Sequence, residues 1–212
     1  MSGAVQDLLV IVEGGDDAHF VQHFVRLTTG QELLAGKSSQ HGDGYSGMLK
    51  RVGVIGQETG YRNVGFLCDA DADPKRRWRE LRSKLGDYLP EDPVTIGVVV
   101  PFVRDTKLGL WMMPGNGSGG DFEAFLGAIR SNAAPQPQLW KKSISAVASI
   151  EHPLFADKDA AKAELRTWLA WQKEPGASPG VAVTMDCFDL THPLAVSMAD
   201  WFRRLLPTPA VP

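Results

Sequence analysis

The pattern of apolar positions near the start of the chain predicts two buried strands. Residues 8–12 and residues 64–68 contain no charged side chain and no polar alternation. An apolar strand without alternation is typical of a parallel sheet that helices cover on both faces. Apolar residues at helical spacing follow the first run, which predicts the order strand, turn, helix. These helical positions are Phe20, Val21, Phe24 and Val25.

The segments between the two strands and after the second give further elements. We predict a short strand near residues 37–40, then a turn, and a helix over residues 45–55. Pro74 suits the first position of a helix, with Asp73 as its N-cap. An apolar stripe that includes Trp78 continues that helix.

The second half of the chain begins with two more predicted strands, residues 94–103 and residues 108–113. A glycine-rich loop, residues 114–120, then leads into a helix, and residues 131–138 are predicted to form a proline-containing linker. The remainder has two apolar helix faces, one around Trp168 and one near the end of the sequence. It is therefore predicted to be mostly helical.

The alternation of strands and helices predicts an α/β fold with a mainly parallel, Rossmann-like sheet flanked by helices. Residues 1–130 are expected to form this core. Residues 131–212 are expected to form a helical C-terminal extension, packed on the core in one compact unit. Ligands of such sheets bind beyond the carboxyl ends of the strands. Glu13 and Asp69 each follow an apolar run directly, so both are expected at that edge.

The run Asp69, Asp71 and Asp73 concentrates negative charge at alternate positions. Alternate side chains of an extended chain can converge on one region, and clustered carboxylates repel one another unless a cation or protons intervene. Phosphodiester chemistry needs a hard cation, and Mg²⁺ prefers oxygen ligands. Glu13 could be a further ligand or the general base. Asp73 is equally well explained as the cap of the helix that begins at Pro74.

Basic residues crowd the helix after the acidic run, and Lys75 and Arg76 lie closest to it. We expect these two side chains to contact phosphate groups, with a solvated helix face as the alternative. The net charge of the chain is −3, from 22 basic and 25 acidic residues. A protein that holds nucleic acid through a broad basic surface is expected to be more basic than this. Either the substrate is not nucleic acid, or bound cations and a local basic patch neutralise it.

The stretch VEGGDD at residues 12–17, together with FLCDADAD at residues 66–73, resembles the Toprim domain. Type IA and type II topoisomerases, bacterial primases, overcoming-lysogenisation-defect nucleases, ribosomal RNA maturases and recombination mediators share that domain. Its pattern is a glutamate after the first strand and a DxD, or a fuller DxDxD, after a later strand. The resemblance covers about residues 5–115 and implies a site for Mg²⁺ or Mn²⁺. The matching positions are Glu13, Asp69, Asp71 and Asp73.

A nearer resemblance spans most of the chain and is to an uncharacterised bacterial group of stand-alone Toprim-like proteins, a domain of unknown function. The similar stretches are DADADPKRRW at residues 69–78, GLWMMPGN at residues 109–116 and WLAWQKEPG at residues 168–176. Glu123 matches an acidic position of the group and is expected to be a metal ligand, although a carboxylate also suits a helix N-terminus. Such proteins sometimes work with ATPase partners, so the resemblance also implies an ATPase partner.

Cysteine content and hydropathy indicate where the protein resides. Cys68 and Cys187 are too few for a disulfide framework. The N-terminus lacks a basic leader, and no apolar stretch approaches the roughly 18 residues that a membrane helix needs. We therefore expect a cytoplasmic protein that does not cross a membrane. The sequence leaves the oligomeric state open, and a homodimer is compatible with it.

These features predict divalent-metal-dependent phosphodiester chemistry on nucleic acid, with a nuclease acting on DNA or RNA as the leading hypothesis. Its catalytic residues would be Glu13, Asp69 and Asp71. A second hypothesis is a non-catalytic Toprim module that serves binding or assembly. A third is a phosphatase with Asp69 as its nucleophile, as in haloacid-dehalogenase enzymes, although those usually have Thr or Val where this chain has Asp73.

Overall fold

A computed structural model describes residues 6–33, 39–41, 44–52, 61–92, 97–115 and 117–206. Its strands are β1 (Gln6–Val12), β2 (Ser39–His41), β3 (Tyr61–Asp69), β4 (Val98–Pro101) and β5 (Lys107–Met113). Its α-helices are α1 (Gly15–Thr29), α2 (Gly44–Val52), α3 (Pro74–Leu85), α4 (Phe122–Ala128), α5 (Gln136–Ala148), α6 (Ala160–Ala170), α7 (Pro179–Ala182) and α8 (Pro193–Leu205). Short 3₁₀ helices cover Gly86–Tyr88, Val103–Asp105, Asp157–Asp159 and Val183–Met185.

The described strands form an open sheet in the order β2-β1-β3-β5-β4. Strand β1 pairs in parallel with β2 and with β3, and β3 pairs in parallel with β5. Strand β4 runs antiparallel to β5 at one edge of this sheet. The arrangement confirms the predicted mixed α/β fold with a mostly parallel open sheet flanked by helices.

Helices cover both faces of the sheet, so successive residues of a central strand enter two different cores. Val10 of β1 packs in the core formed with α1, α4, α6, α7 and α8, whereas the next residue, Ile11, packs in the core formed with α2 and α3. Strand β3 behaves in the same way, with Leu67 in the first core and Phe66 in the second. Burial on both faces is the reason that these strands carry no polar alternation.

Helix α8 lies close against the sheet because two central strands carry glycine beneath it. A Cβ atom at Gly65 would lie 2.8 Å from Leu205, and a Cβ atom at Gly109 would lie 2.8 Å from the ring of Trp201. The Trp201 side chain is fully buried, and its Nε1–H donates a hydrogen bond of 2.9 Å to the carbonyl of Val98. A helix from the last part of the chain therefore completes a core that the sheet begins.

Two predicted segments in helical regions differ from the observed ones. The linker predicted over residues 131–138 is wrong in its last part, because α5 begins at Gln136, directly after Pro135. Proline is tolerated at a helix start, where its missing N–H would have no partner, so this proline introduces a helix. The helix predicted over residues 45–55 is α2, and the predicted part beyond Val52 lies outside the described residues.

Two predicted strands can be compared with the structure only in part. The strand predicted near residues 37–40 corresponds to β2, and residues 34–38 lie outside the described part of the chain. The strand predicted over residues 94–103 corresponds to β4, with residues 93–96 again outside the described part. Its predicted end is wrong, because Val103–Asp105 forms a short 3₁₀ helix before β5.

Candidate functional site

Two acidic side chains meet at the carboxyl edge of the parallel strands. Glu13 follows β1, and Asp69 is the last residue of β3, the neighbouring strand. The Glu13 Oε1 atom accepts a hydrogen bond of 2.9 Å from the backbone N–H of Asp69. Carboxyl ends of parallel strands face the same edge of a sheet, which explains how residues 56 positions apart come into contact.

The start of helix α4 completes the surroundings of Asp69. The Asp69 Oδ1 atom accepts a hydrogen bond of 2.9 Å from the backbone N–H of Phe122. Asp121 precedes α4 as its N-cap and accepts a hydrogen bond of 2.7 Å from the N–H of Ala124. Glu123 lies in the first turn of the same helix. The segment after the glycine-rich loop therefore brings a further carboxylate to the strand edge.

These groups line a cleft of about 220 Å³ at the strand edge. The cleft is mainly acidic, with backbone from the turn after β1 and one lysine from α6. Its lining residues are Glu13, Gly14, Gly15, Asp16, Asp17, Asp69, Phe122, Glu123 and Lys162. The structure thus brings together three of the predicted site residues, Glu13, Asp69 and Glu123.

Burial and mutual repulsion raise the pKa values of four carboxyl groups of the cleft. Burial raises the pKa of Asp69 to about 8, and nearby negative charges add to that rise. Those charges belong to Glu13, Asp17, Asp121 and Glu123. Burial likewise raises the pKa of Asp17 to about 6 and is the largest cause of the raised pKa values of Glu13 and Glu123. Perturbed carboxyl groups that converge in one cleft are typical of functional sites.

Sequence reasoning missed two residues of this cleft, Asp17 and Lys162. Asp17 lies in the first turn of α1, where an acidic residue is common for helix-capping reasons alone, and its Oδ2 atom accepts a hydrogen bond of 2.6 Å from the N–H of Gly14. Lys162 comes from α6, far along the chain, and the neighbouring turn of α6 supplies Arg166, which forms an ion pair with Asp16. The spacing of four between these two basic residues was the available signal, since it places them on one face of a helix.

Asp71 does not point into this cleft. Its backbone is left-handed, with φ of 51°, and forms two hydrogen bonds with Gly120, of 2.9 Å and 2.8 Å. Its carboxylate forms an ion pair with the guanidinium of Arg77 on α3. The Asp71 side chain remains 45% exposed, so it can exchange this partner without opening the core.

Asp73 and the two predicted phosphate contacts lie on the outer side of α3. Asp73 is the N-cap of α3, and its Oδ1 atom accepts a hydrogen bond of 3.0 Å from the N–H of Arg76. Capping is therefore the role that the structure gives Asp73. Lys75 and Arg76 are exposed, and Arg76 lies 3.9 Å from Glu80 in an i,i+4 ion pair. None of the three lines the acidic cleft.

The donor atoms of the cleft fit a hard divalent cation. Within the described residues, no three His, Cys, Asp or Glu side chains already stand at ligand spacing around one point. Like charges in a partly buried cleft hold one another apart until a cation or protons neutralise them. All the acidic donors are carboxylate oxygens, which suit Mg²⁺ and Mn²⁺ better than softer metals. Glu13, Asp17, Asp69 and Glu123 are the residues that could hold such an ion.

Fold and site together define a mixed α/β protein with an acidic cleft at the carboxyl edge of its sheet. The chain belongs to a family described as a protein of unknown function, DUF3226, whose model matches residues 7–207. It matches no curated protein and no solved structure. Across the described residues, no helix is both long and apolar enough to pass through a lipid bilayer.

Proposed function

We propose that this protein is a Mg²⁺- or Mn²⁺-dependent nuclease with a Toprim-like arrangement of acidic residues. The observation that carries the proposal is the contact between Glu13 and Asp69, at the ends of neighbouring parallel strands, inside a cleft that Asp17 and Glu123 complete. A glutamate after the first strand and an aspartate pair after a later strand agree with the Toprim pattern. The protein would act on DNA or RNA.

The acidic residues divide into ligands and a base. Asp69, Asp17 and Glu123 would hold the cation, and Asp71 would join them when it leaves Arg77. A divalent cation, when bound, neutralises a phosphate and stabilises a leaving oxygen. Glu13 is assigned as the general base: its Oε1 atom is engaged by the N–H of Asp69, and its Oε2 atom would accept a proton from an attacking water.

Two further residues of the cleft, Phe122 and Lys162, would help to position the metal ligands and the phosphate. Phe122 closes one side of the cleft, and its N–H holds the Asp69 carboxylate in a fixed orientation. Lys162 adds a positive charge to the cleft, which favours a phosphate over a neutral substrate. Asp73 is assigned as the N-cap of α3.

A non-catalytic module for nucleic-acid or protein binding is the second candidate. It is favoured by the engagement of Asp71 with Arg77 and of Asp73 with the start of α3, which leaves fewer acidic groups free for metal. Such a module would bind oligonucleotides without cleaving them. Both candidates therefore predict that the protein binds oligonucleotides, and only the nuclease predicts cleavage products.

A cleavage assay on the full chain tests the proposal. Labelled single-stranded DNA, duplex DNA and single-stranded RNA would be incubated with Mg²⁺, with Mn²⁺ and with a chelator. We expect products with at least one metal and none with the chelator. Asp73→Asn is the matched control, because asparagine also caps helices, and it should cleave like the wild type.

Two results would speak against the nuclease. Intact oligonucleotides under every metal condition, together with measurable binding, would support the non-catalytic module. Hydrolysis of a phosphate monoester such as para-nitrophenyl phosphate, without cleavage of oligonucleotides, would support the phosphatase hypothesis with Asp69 as nucleophile.

Binding of Mg²⁺ is expected to strengthen as the pH rises from 6 to 8. The raised pKa of Asp69, about 8, means that this carboxyl group carries a proton below that pH and must release it to a cation. One obligatory proton gives an increase in affinity of up to about tenfold per pH unit, levelling off above pH 8. Isothermal calorimetry in two buffers of different ionisation enthalpy measures both affinity and proton release. An affinity that is flat over this range would contradict the expectation.

A further inference from the structure

Arg77 differs from the other basic residues of α3 by its burial. Its side chain is only 11% exposed, whereas Lys75, Arg76 and Arg79 are exposed on the same helix. Burying a guanidinium is costly unless its surroundings compensate the charge and the N–H groups. The Arg77 guanidinium therefore needs partners that compensate its charge, and three side chains contact it.

Three contacts hold the Arg77 guanidinium. They come from α3, from α2 and from Asp71 of the acidic run. One terminal nitrogen pairs with the carboxylate of Asp71, and the other lies 3.9 Å from Glu80. The Arg77 Cζ atom lies 3.5 Å from the centroid of the Tyr45 ring, which is a stacked cation–π arrangement. Its Nε atom is buried and has no hydrogen-bond partner among the described residues.

The charge of Arg77 also acts on the cleft. Burial and then the hydrogen bond from Asp69 have the largest influence on the pKa of Glu13, and the positive charge of Arg77 comes next and lowers that pKa. Arg77 is thus a largely buried cation that is paired with Asp71 and whose positive charge acts on the proposed base, Glu13. None of Lys75, Arg76 and Arg77 lines the cleft, but Arg77 is the one of the three that pairs with Asp71.

We propose that Arg77 is the substrate-phosphate contact of this site, held ready by Asp71 and Tyr45, in place of Lys75 and Arg76. In the free protein Asp71 neutralises the guanidinium. The half-exposed Asp71 carboxylate would be a ligand for a divalent cation, which would neutralise charge on the substrate, and the guanidinium that Asp71 releases would bind the phosphate. The planar fork of arginine matches two phosphate oxygens, and the tyrosine ring fixes its plane in advance. This inference rests on the proposed nuclease function.

A purely structural role for Arg77 leads to different behaviour. If Arg77 only joined α3 to α2 and to the acidic run, its loss would disturb Asp71 and weaken the binding of metal and of nucleic acid together. A phosphate contact predicts opposite responses. Removing a positive charge beside the cleft leaves Mg²⁺ affinity unchanged or raises it about threefold, while oligonucleotide binding weakens.

The test compares Arg77→Gln and Arg77→Lys with Arg76→Gln, which makes the same charge change on the exposed side of α3. Calorimetry gives the Kd for Mg²⁺. Fluorescence anisotropy gives the Kd for a single-stranded DNA oligonucleotide in Ca²⁺, between about 50 and 200 mM salt, with the DNA checked for integrity on a gel. Thermal melting confirms that each variant is folded.

We expect Arg77→Gln to weaken oligonucleotide binding about tenfold and to reduce the salt slope by about 0.7, the value for one phosphate of a single strand. Arg77→Lys should keep the slope and recover part of the affinity, because lysine keeps the charge and loses the fork. Arg76→Gln should resemble the wild type. If Arg77→Gln proves unfolded, Arg77→Lys alone tests the proposal. The proposal then predicts that its Kd for the oligonucleotide is about two- to tenfold above the wild-type value, while its Mg²⁺ affinity is unchanged.

Equal losses in Arg77→Gln and Arg76→Gln, or a joint loss of Mg²⁺ and oligonucleotide affinity, would overturn the role of Arg77. So would wild-type binding by Arg77→Lys. A wild-type protein that binds neither Mg²⁺ nor oligonucleotide would instead remove the proposed function itself. The two failures are therefore distinguishable in one set of measurements.

Discussion

The variant Asp69→Asn is expected to lose metal-dependent cleavage and, without metal, to be more stable than the wild type. The change removes the negative charge that a cation needs from the most strongly perturbed carboxyl group of the cleft. Loss of second-shell partners of a metal typically costs 10–100-fold, so loss of a direct ligand should reduce cleavage by at least about 100-fold. Glu13→Gln should cause a comparable loss through the missing general base.

The gain in stability follows from the direction of the pKa shift. The pKa of Asp69 is about 8 in the folded protein and about 3.9 in an unfolded chain. Between these values the unfolded chain releases a proton that the folded protein retains, so the stability of the wild type falls as pH rises from 4 to 8. Asparagine carries no charge and still offers Oδ1 to the N–H of Phe122.

Differential scanning calorimetry of the metal-free proteins measures this effect. The Tm of Asp69→Asn should exceed that of the wild type by about 3–8 °C at pH 8 and should nearly equal it at pH 4. Asp73→Asn is the control, because the same chemical change occurs at an exposed cap and should leave Tm within about 1 °C. A lower Tm at pH 8 for Asp69→Asn, or full cleavage activity, would contradict the assignment of the site.

The variant Trp201→Ala is expected to lower the free energy of unfolding by about 3–5 kcal/mol. The side chain is fully buried on α8, with its ring centroid 6.0 Å from that of Trp111 and 4.7 Å from that of Phe202. Alanine would leave a large cavity between the helix and the sheet. The carbonyl of Val98 on the edge strand β4 would also lose its hydrogen bond from the indole.

Urea unfolding followed by circular dichroism measures this loss without relying on tryptophan fluorescence. Trp171→Ala removes a side chain of equal size that is 41% exposed, and it should cost less than about 1 kcal/mol. A difference between the two variants of less than about 1 kcal/mol would mean that α8 contributes little to the core. The same experiment shows whether the chain unfolds in one transition, as a shared core requires.

Much of the sheet and one contact of the site followed from local pattern. The runs at residues 8–12 and 64–68 are apolar without alternation because both faces of β1 and β3 are buried. Parallel strands present their carboxyl ends at one edge, which is why the proximity of Glu13 and Asp69 could be predicted. Glu123 was also among the predicted residues, and it lines the cleft.

The acidic run shows where pattern was insufficient. Alternate positions converge only while the chain stays extended, and β3 ends at Asp69. Asp71 then adopts a left-handed backbone and Asp73 caps α3, so the three carboxylates point to three different places. The spacing of the aspartates does not reveal this change of backbone conformation, because aspartate occurs in both extended and left-handed backbone.

The sequence by itself determined the buried strands β1 and β3, the helix that begins at Pro74 and the edge of the sheet where acidic groups gather, since hydrophobic periodicity and capping act over a few residues. Only the tertiary structure decided that Lys162 enters the cleft, that Arg77 rather than Arg76 turns inward, and that α8 rests on glycines of the sheet. Those choices depend on how helices pack between residues far apart along the chain, such as Asp16 and Arg166, which are 150 positions apart. Packing of this kind depends on how well whole helix and sheet faces fit together, and a local pattern of residues does not predict that fit.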